Sequence, residues 1–255
     1  MLPTKDIEAA RGLINGARKI LVFTGAGIST GSGIPDYRGP DGVWLKREPV
    51  LYQEFIASTS SKLEYWRYKA GTFPAFSAAV PNAAHLALVR LEKSGRLRAL
   101  VTQNIDSLHR AAGTYTDKLV ELHGSGLYAE CLDCFKWVSM AEALESFRYD
   151  GAPPLCSCGG WLKPAVVMFG EPLEREDLMK AFKAAEDCDL AISVGSTLSV
   201  EPAASVPLSA KAAGKPYIIV NLGPTAHDGA ADIKLDGDAC ELLPLILDLK
   251  AGQDD

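Results

Sequence analysis

The sequence predicts an α/β fold, a parallel sheet with helices on both faces, carrying a small second lobe built from two insertions. Three observations carry that expectation. Short runs of consecutive apolar residues recur along the chain, as strands buried on both faces require. Helix-like stretches separate these runs, the alternation that brings successive strands into parallel register. Two segments break the rhythm: one is aromatic and helical in character, and the other holds four of the six cysteines.

Taken in order, residues 4–18 place Ile7, Ala10, Leu13, Ile14 and Ala17 at helical spacing and lead into Ile20-Leu21-Val22-Phe23, which reads as a buried strand. A glycine-rich loop follows. Further strands are expected at 97–102, 118–122, 190–194 and 217–221, with helices at 174–186 and 203–213 among them. The interruptions span 44–76 and 128–162, the second containing the turn-rich GAPPLCSCGG. One domain over 1–255 is therefore expected. Its large lobe comprises about 1–43, 77–127 and 163–255, and its small lobe about 44–76 (helical) and 128–162 (cysteine-bearing). No internal repeat is visible, and only the tail AGQDD reads as disordered.

At 255 residues and 47% hydrophobic, the chain can bury a substantial core. Its opening stretch is charged and amphipathic, and no run approaches the ~18 apolar residues of a membrane span, so neither signal peptide nor anchor is expected. A net charge of -6 lacks the excess of Lys and Arg that would hold a phosphate backbone, which argues against nucleic acid as a ligand. An acidic surface suits basic peptides, but mild acidity is also ordinary for a soluble protein. Cys131, Cys134, Cys156 and Cys158 cluster, while Cys188 and Cys240 stand alone. That distribution favours metal thiolates over disulfides, and with them a reducing cytoplasm.

The loop after the first strand runs Gly25-Ala26-Gly27-Ile28-Ser29-Thr30-Gly31-Ser32-Gly33-Ile34-Pro35-Asp36-Tyr37-Arg38-Gly39. Glycines let the backbone approach a pyrophosphate and turn its amides toward the anion. A structural tight turn is the competing reading. The dehydrogenase fingerprint GxGxxG is broken, because Thr30 stands where its third glycine belongs and no acid closes a second strand about 20 residues on. Asp36, Tyr37 and Arg38 have little use immediately beyond the phosphate loop of a hydride-transfer site, so chemistry at a ribose is the better fit.

Thr102-Gln103-Asn104-Ile105-Asp106-Ser107-Leu108-His109 lies where a strand gives way to a helix, the edge at which parallel sheets bind ligands. Gln103 and Asn104 suit a carboxamide and a ribose, whereas Asp106 alone reads equally as a helix N-cap. Glu121-Leu122-His123-Gly124 ends another strand at the same edge. Of the four histidines, His85, His109, His123 and His227, His123 is the one at a strand end before a glycine. An imidazole with a free pKa of about 6.5 can take a proton near neutrality. A satisfied structural histidine fits that position equally well. The cysteines read C-x2-C-x21-C-x-C, and four thiolates close a tetrahedral zinc site with no open position, which makes the metal structural.

In their order and spacing, GAGISTGSGIPDYRG, TQNIDSLH, ELHG, the paired cysteines, VVMFGE, GSTLSVEP and NLGPT resemble the sirtuins over about residues 19–243. The resemblance implies a Rossmann-like lobe and a small zinc-binding lobe, with NAD between them and an acylated lysine entering from the opposite side. Gly25, Ala26, Gly27 and Ser29 match the phosphate-side loop, and Asp36, Tyr37 and Arg38 the mobile segment that folds over NAD. Gln103, Asn104 and Asp106 match the nicotinamide and ribose pocket. Gly195, Ser196, Thr197, Asn221 and Cys240 match the adenosine half. Val166, Val167, Met168, Phe169, Gly170 and Glu171 match the strand and loop that receive a substrate peptide by edge pairing. A core strand is the alternative reading of residues 166–169.

The implied catalytic residues are His123, as general base, with Asn104 and Asp106. The implied reaction moves the acyl group of a protein lysine onto the ribose of NAD, yielding nicotinamide, O-acyl-ADP-ribose and free lysine. The implied partners are acylated proteins or peptides, and the implied metal is one structural zinc. Mono-ADP-ribosyl transfer from the same pocket and a catalytically silent NAD-binding module are the alternatives. Two departures from the family pattern matter. Cys156-Ser157-Cys158 is one residue short of the usual C-x2-C, so the half-site needs a tighter turn, which Gly159-Gly160 can supply. Relatives that prefer succinyl or malonyl groups carry a Tyr-x2-Arg pair, whereas here Tyr65 is followed by Tyr68, which points toward acetyl or longer apolar acyl groups. The stretch, with Pro-Asn-Ala-Ala-His85 downstream, looks closer to the bacterial and mitochondrial-type relatives. GSTLS in place of the commoner GTSL only permutes hydroxyls.

Overall fold

The computed structural model describes residues 4–39, 42–45 and 47–247; the AGQDD tail lies outside them. Helix α1 (Thr4–Gly16) buries Ala10 and Ile14 and precedes strand β1 (Ile20–Thr24). Helices α2 (Tyr52–Ala57), α3 (Thr59–Ala78) and α4 (Ala83–Lys93) lead to β2 (Leu97–Thr102). A short α5 (Leu108–Ala112) and β3 (Leu119–Glu121) complete one half of the sheet. After β4 (Gly124–Cys131), β5 (Trp137–Ser139), α6 (Met140–Asp150) and β6 (Leu162–Val166), the chain returns through α7 (Arg175–Asp187) to β7 (Leu190–Val194). It ends with α8 (Ser205–Ala212), β8 (Tyr217–Asn221), β9 (Ile233–Asp236) and α9 (Ala239–Ile246).

Six strands form one parallel sheet in the order β3-β2-β1-β7-β8-β9. Successive β1 side chains point to opposite faces, so Ile20 and Val22 pack into one core and Leu21 and Phe23 into another. Residues of α1, α4 and α9 cover the first face, and residues of α7 and α8 the second. The strand order reverses between β1 and β7, and the crevice beyond the carboxyl ends of those strands is where such sheets take ligands.

A second sheet, antiparallel and ordered β5-β4-β6, has a separate core of Phe55, Trp66, Ala129, Met140, Leu144 and Leu162 among others. It draws on both expected insertions. Its strand β4 already begins at Gly124, inside the stretch expected to belong to the large lobe. The sixth strand, β9, was not among the elements the sequence predicted; it is an edge strand with only Leu235 fully buried, so it lacks the continuous apolar run of its neighbours. Among the described residues no helix is long and apolar enough to cross a membrane.

Candidate active site at the switch point of the sheet

The loop after β1 and the loop after β7 meet at the point where the strand order reverses. Gly25 N–H donates to Val194 C=O at 3.0 Å, and Gly27 N–H to Gly195 C=O at 2.8 Å. The approach is so close that a Cβ on Gly27 would lie 2.8 Å from Gly195 Cα, and Gly195 itself has φ +60. Glycine is required at both positions. The loop is pinned from behind by Asn82, the N-cap of α4, whose Nδ2 donates to Ile28 C=O at 2.8 Å and to Ser32 Oγ at 3.0 Å. A cavity of about 900 Å³ opens in front, within the range of small-molecule sites. Gly25, Ala26, Gly27, Gly195, Ser196, Thr197 and Asn221 line it together with Asp36, Tyr37 and Arg38.

Gln103 and Asn104, just beyond β2, also line this cavity, as does His123 just beyond β3. Gln103 Nε2 donates to Ser196 Oγ at 2.9 Å, which ties the two loops together. Behind them lies a buried network. Ser29 Oγ donates to Asp106 Oδ2 at 2.7 Å, Leu108 N–H donates to Asp106 Oδ1 at 2.9 Å, and Asn104 Nδ2 donates to Ser29 Oγ at 3.2 Å. Burial pushes the Asp106 carboxyl up, opposed by the Leu108 N–H and the Ser29 hydroxyl. Ser29 and Asp106 therefore stand behind the cavity wall, as does Cys240, whose Sγ packs near Gly31.

Of the four histidines only His123 lines the cavity. His85 is held at the N-terminus of α4 by Asn82, His109 meets Thr24 Oγ1 at 2.9 Å, and His227 lies 3.3 Å from the Tyr217 hydroxyl. His123 Nδ1 is 2.8 Å from the carbonyl oxygen of Gln103, which can only accept, so Nδ1 carries the proton. The other nitrogen, Nε2, is left with a lone pair. Burial lowers the pKa of the ring, the bond to Gln103 acting the other way, and the neutral, proton-accepting form prevails at neutral pH.

The opposite wall comes from α3 and from the loop after β6. Tyr65, Tyr68, Lys69, Thr72, Phe73 and Phe76 recur at three- and four-residue spacing, which puts them on one helix face, and all six line the cavity. Val166, Val167, Met168, Phe169, Gly170 and Glu171 line it too, with only Val166 in the strand and the rest in the following turn. Val167 N–H donates to His123 C=O at 3.0 Å, and Tyr52 N–H to Phe169 C=O at 2.9 Å. Glu171 holds the turn from beneath through Met168 N–H and the buried Lys163, both at 2.9 Å. Tyr37 stacks on Trp44 at 5.1 Å, and Trp44 meets Phe169 edge-on at 5.9 Å, so an aromatic bridge joins the glycine-rich loop to this turn.

The α3 stripe is the part of the wall that motif reasoning passed over, apart from Tyr65 and Tyr68. Its i, i+3, i+4, i+7 recurrence is legible in the sequence once the segment is taken as one helix. Two cations stand beside these tyrosines: the Arg47 guanidinium lies 4.1 Å from the Tyr68 ring centre and Lys69 Nζ 6.0 Å from that of Tyr65, and both residues line the cavity.

About the second sheet, the sulfurs of Cys131, Cys134, Cys156 and Cys158 all lie within 4.8 Å of one another. Cys131 Sγ is 3.5 Å from Cys158 Sγ, and Cys134 Sγ is 3.7 Å from Cys156 Sγ. Sulfurs at about 2.3 Å from a tetrahedral zinc stand roughly 3.8 Å apart, so the donor set fits that ion. The Asp133 and Cys134 N–H groups point at Cys131 Sγ, at 3.4 and 3.5 Å, as support for a thiolate requires. The tight half-site is closed by Cys156 N–H donating to Gly160 C=O and Gly159 N–H to Cys156 C=O, both at 2.8 Å. Gly159 has φ +92, and a Cβ on Gly160 would lie 2.8 Å from Cys131 Sγ, so both expected glycines are needed.

Comparison with known proteins places this geometry. The chain is 39% identical over 237 residues to NAD-dependent protein deacetylase 1 of Bradyrhizobium diazoefficiens, covering 93% of each. It superposes at a TM-score of 0.88, with 36% identity, on a Sir2 structure holding a deacetylated p53 peptide and 3'-O-acetyl ADP ribose, covering 95% of this chain and 97% of that one. A second solved structure, a Sir2 protein bound to a myristoylated histone peptide, matches at a TM-score of 0.78 and 36% identity over 96% of both chains. The model of the Sir2 family matches residues 25–202, and the chain belongs to that family.

Proposed function

We infer that the protein removes acyl groups from lysine side chains at the expense of NAD, releasing nicotinamide, O-acyl-ADP-ribose and free lysine. The observation that carries this reading is His123: a neutral imidazole whose Nδ1 is committed to Gln103 C=O and which lines the cavity between the nucleotide loops and the turn after β6. NAD supplies the ribose carbon that accepts the acyl oxygen and the hydroxyls from which a proton must be drawn. His123 takes that proton at Nε2, and the charge of the resulting imidazolium is shared with the Gln103 carbonyl. Gly25, Ala26 and Gly27 line the phosphate side, the Gly25 and Gly27 N–H groups holding the loop in place through Val194 and Gly195 C=O, and Gly195, Ser196, Thr197 and Asn221 stand on the adenosine side. Asn104 serves the ribose, while Ser29 and Asp106 hold Asn104 in place through the buried network.

An acyl-lysine peptide lies along residues 166–171, where Val167 C=O and Phe169 N–H remain for main-chain pairing. The two-lobe division at about 1–43, 77–127 and 163–255 against 44–76 and 128–162 follows the same logic, the nucleotide on one lobe and much of the peptide wall on the other. The cysteine set would hold one zinc, which supplies no chemistry to the reaction and fixes the second sheet. Six unpaired thiols support a reducing, cytoplasmic setting.

Incubation with NAD and peptides bearing acetyl, butyryl and myristoyl lysine tests the reading. Nicotinamide release is expected only when NAD and an acyl peptide are both present. Transfer of ADP-ribose to protein in the absence of any acyl peptide would favour the transferase alternative.

A further inference from the structure

Every other ion pair among the described residues keeps one side chain at least 33% exposed, whereas Lys163 and Glu171 are only 6% and 18% exposed. Lys163 Nζ donates to Glu171 Oε2 at 2.9 Å and to Val166 C=O at 2.7 Å. Its remaining neighbour is the Tyr52 ring, whose centre lies 5.9 Å away. A buried ion pair is a weak source of stability, because desolvation offsets its attraction and apolar side chains of similar volume pack as well. What such a pair supplies is geometry. An ammonium can donate to both ends of a turn at once, and an apolar side chain can donate to neither.

The turn closed in this way is the one along which the peptide lies in the deacylase reading. Between Val166 C=O and Phe169 C=O most main-chain groups are already taken. Lys163 holds Val166 C=O, and Val167 N–H donates to His123 C=O at 3.0 Å. Met168 N–H donates to Glu171 Oε2 at 2.9 Å, the same oxygen that receives Lys163, and Met168 C=O accepts from Glu171 N–H at 3.0 Å. Phe169 C=O accepts from Tyr52 N–H at 2.9 Å, at the start of the helix whose first ring packs on Lys163. Val167 C=O and Phe169 N–H have no partner among the described residues. These two stand on residues two apart, the spacing at which one edge of an extended chain offers its groups for pairing. Glu171 lines the cavity, and Lys163 stands behind it, outside the lining.

We propose that Lys163 is a positioning residue for the substrate peptide: through Val166 C=O and Glu171 it sets the turn so that Val167 C=O and Phe169 N–H face the peptide main chain. It does not touch the peptide itself. The proposal rests on the deacylase reading, in that the peptide occupies residues 166–171. Without the ammonium, Val166 C=O loses its partner and the Glu171 carboxylate loses its counter-charge, so the turn is free to offer other groups to the cavity. Because the groups presented belong to the main chain, the loss falls equally on peptides of unrelated sequence. The nucleotide loops are carried by other strands, and NAD binding is untouched.

The test uses acetyl-lysine peptides of two unrelated sequences, each also N-methylated in turn at the residues flanking the acyl-lysine, on the wild type, Lys163→Met and Lys163→Arg. Lys163→Met is expected to raise the peptide KM about 10- to 100-fold for both sequences, with the KM for NAD unchanged. Lys163→Arg should recover most of that loss, since a guanidinium can donate to the carboxylate and the carbonyl together. The methylated peptide that suffers most on the wild type should fare no worse than its parent on Lys163→Met, because the pairing that methylation removes is already gone. The proposal is overturned if the peptide KM is unchanged in Lys163→Met, if it rises in step with the KM for NAD, if methylation costs variant and wild type alike, or if no methylated position weakens the wild type. Should Lys163→Met fail to fold, Glu171→Gln removes the ion pair from the other side and is held to the same outcomes. Calorimetric peptide binding reads the same cycle without turnover. A protein that releases no nicotinamide yet shows that non-additive binding would sink the deacylase reading and leave the role of Lys163 standing.

Discussion

A single hydrogen bond decides the role of His123. With Nδ1 donating to Gln103 C=O, the ring is fixed in one tautomer and its lone pair is on Nε2. His123→Ala is expected to preserve the fold and NAD affinity while kcat falls by about 10²–10⁴-fold, the usual contribution of a general base. The pH dependence follows from burial. Because burial lowers the pKa of the ring, the neutral base persists below the ordinary histidine range, and activity is lost as pH falls through that lowered value. The kcat/KM profile of the wild type should therefore be flat across neutrality with an acid limb below about 6.5, absent in the residual activity of His123→Ala. A wild-type limb centred above neutrality would contradict the assignment. From local sequence His123 was no more a base than a structural histidine. The distinction needed the carbonyl of Gln103, a residue 20 positions away that only strand pairing brings alongside.

At the scale of elements, α4 does two jobs through one side chain. Asn82 Oδ1 accepts from Ala84 N–H at 3.0 Å as an N-cap, while its Nδ2 holds the glycine-rich loop through Ile28 and Ser32. Asn82→Ala should cost about 1 kcal/mol of stability through the lost cap, and should also weaken NAD binding as the loop loosens. Asn82→Asp separates the two effects. A carboxylate keeps the cap and the stability but cannot donate, so NAD affinity alone should fall. Thermal unfolding and NAD titration of both variants check this, and parallel losses in the two would mean that the loop needs no such tether. Other elements differ in how plainly the sequence announces them. Strands 190–194 and 217–221 were legible to the residue because each is a largely apolar run buried on both faces, and 97–102 because only the half-buried Arg98 interrupts its buried run. Strand β5 is only three residues long and half exposed, and it owes its place to the cysteine knuckle beside it rather than to any periodicity. The turn after β6 was legible only as a motif, since its conformation is set by Glu171 and Lys163 beneath it.

Over the whole molecule, the nucleotide side and the peptide side rest on different cores. The glycine-rich loop and its partner after β7 are carried by strands packed between two helical layers. The α3 stripe and the turn after β6 are carried by the third core, where Trp66 of α3, Met140 and Leu144 of α6 and Leu162 of β6 pack together. The cysteine cluster belongs to that third core: Cys131 ends β4, which pairs with β6, and Cys131 and Cys156 are buried in it. Metal binding free energy at such a site is folding free energy for whatever it closes. Removing zinc with a chelator should therefore loosen the second sheet, α3 and the turn after β6, and leave the six-stranded sheet intact. NAD affinity is expected to survive chelation, while acyl-peptide affinity and nicotinamide release fall together and return when zinc is restored. Calorimetry of each ligand alongside a metal assay measures this directly. If NAD binding were lost in step with peptide binding, the two cores would be one cooperative unit. The metal would then stabilise the nucleotide loops as much as the wall that faces them.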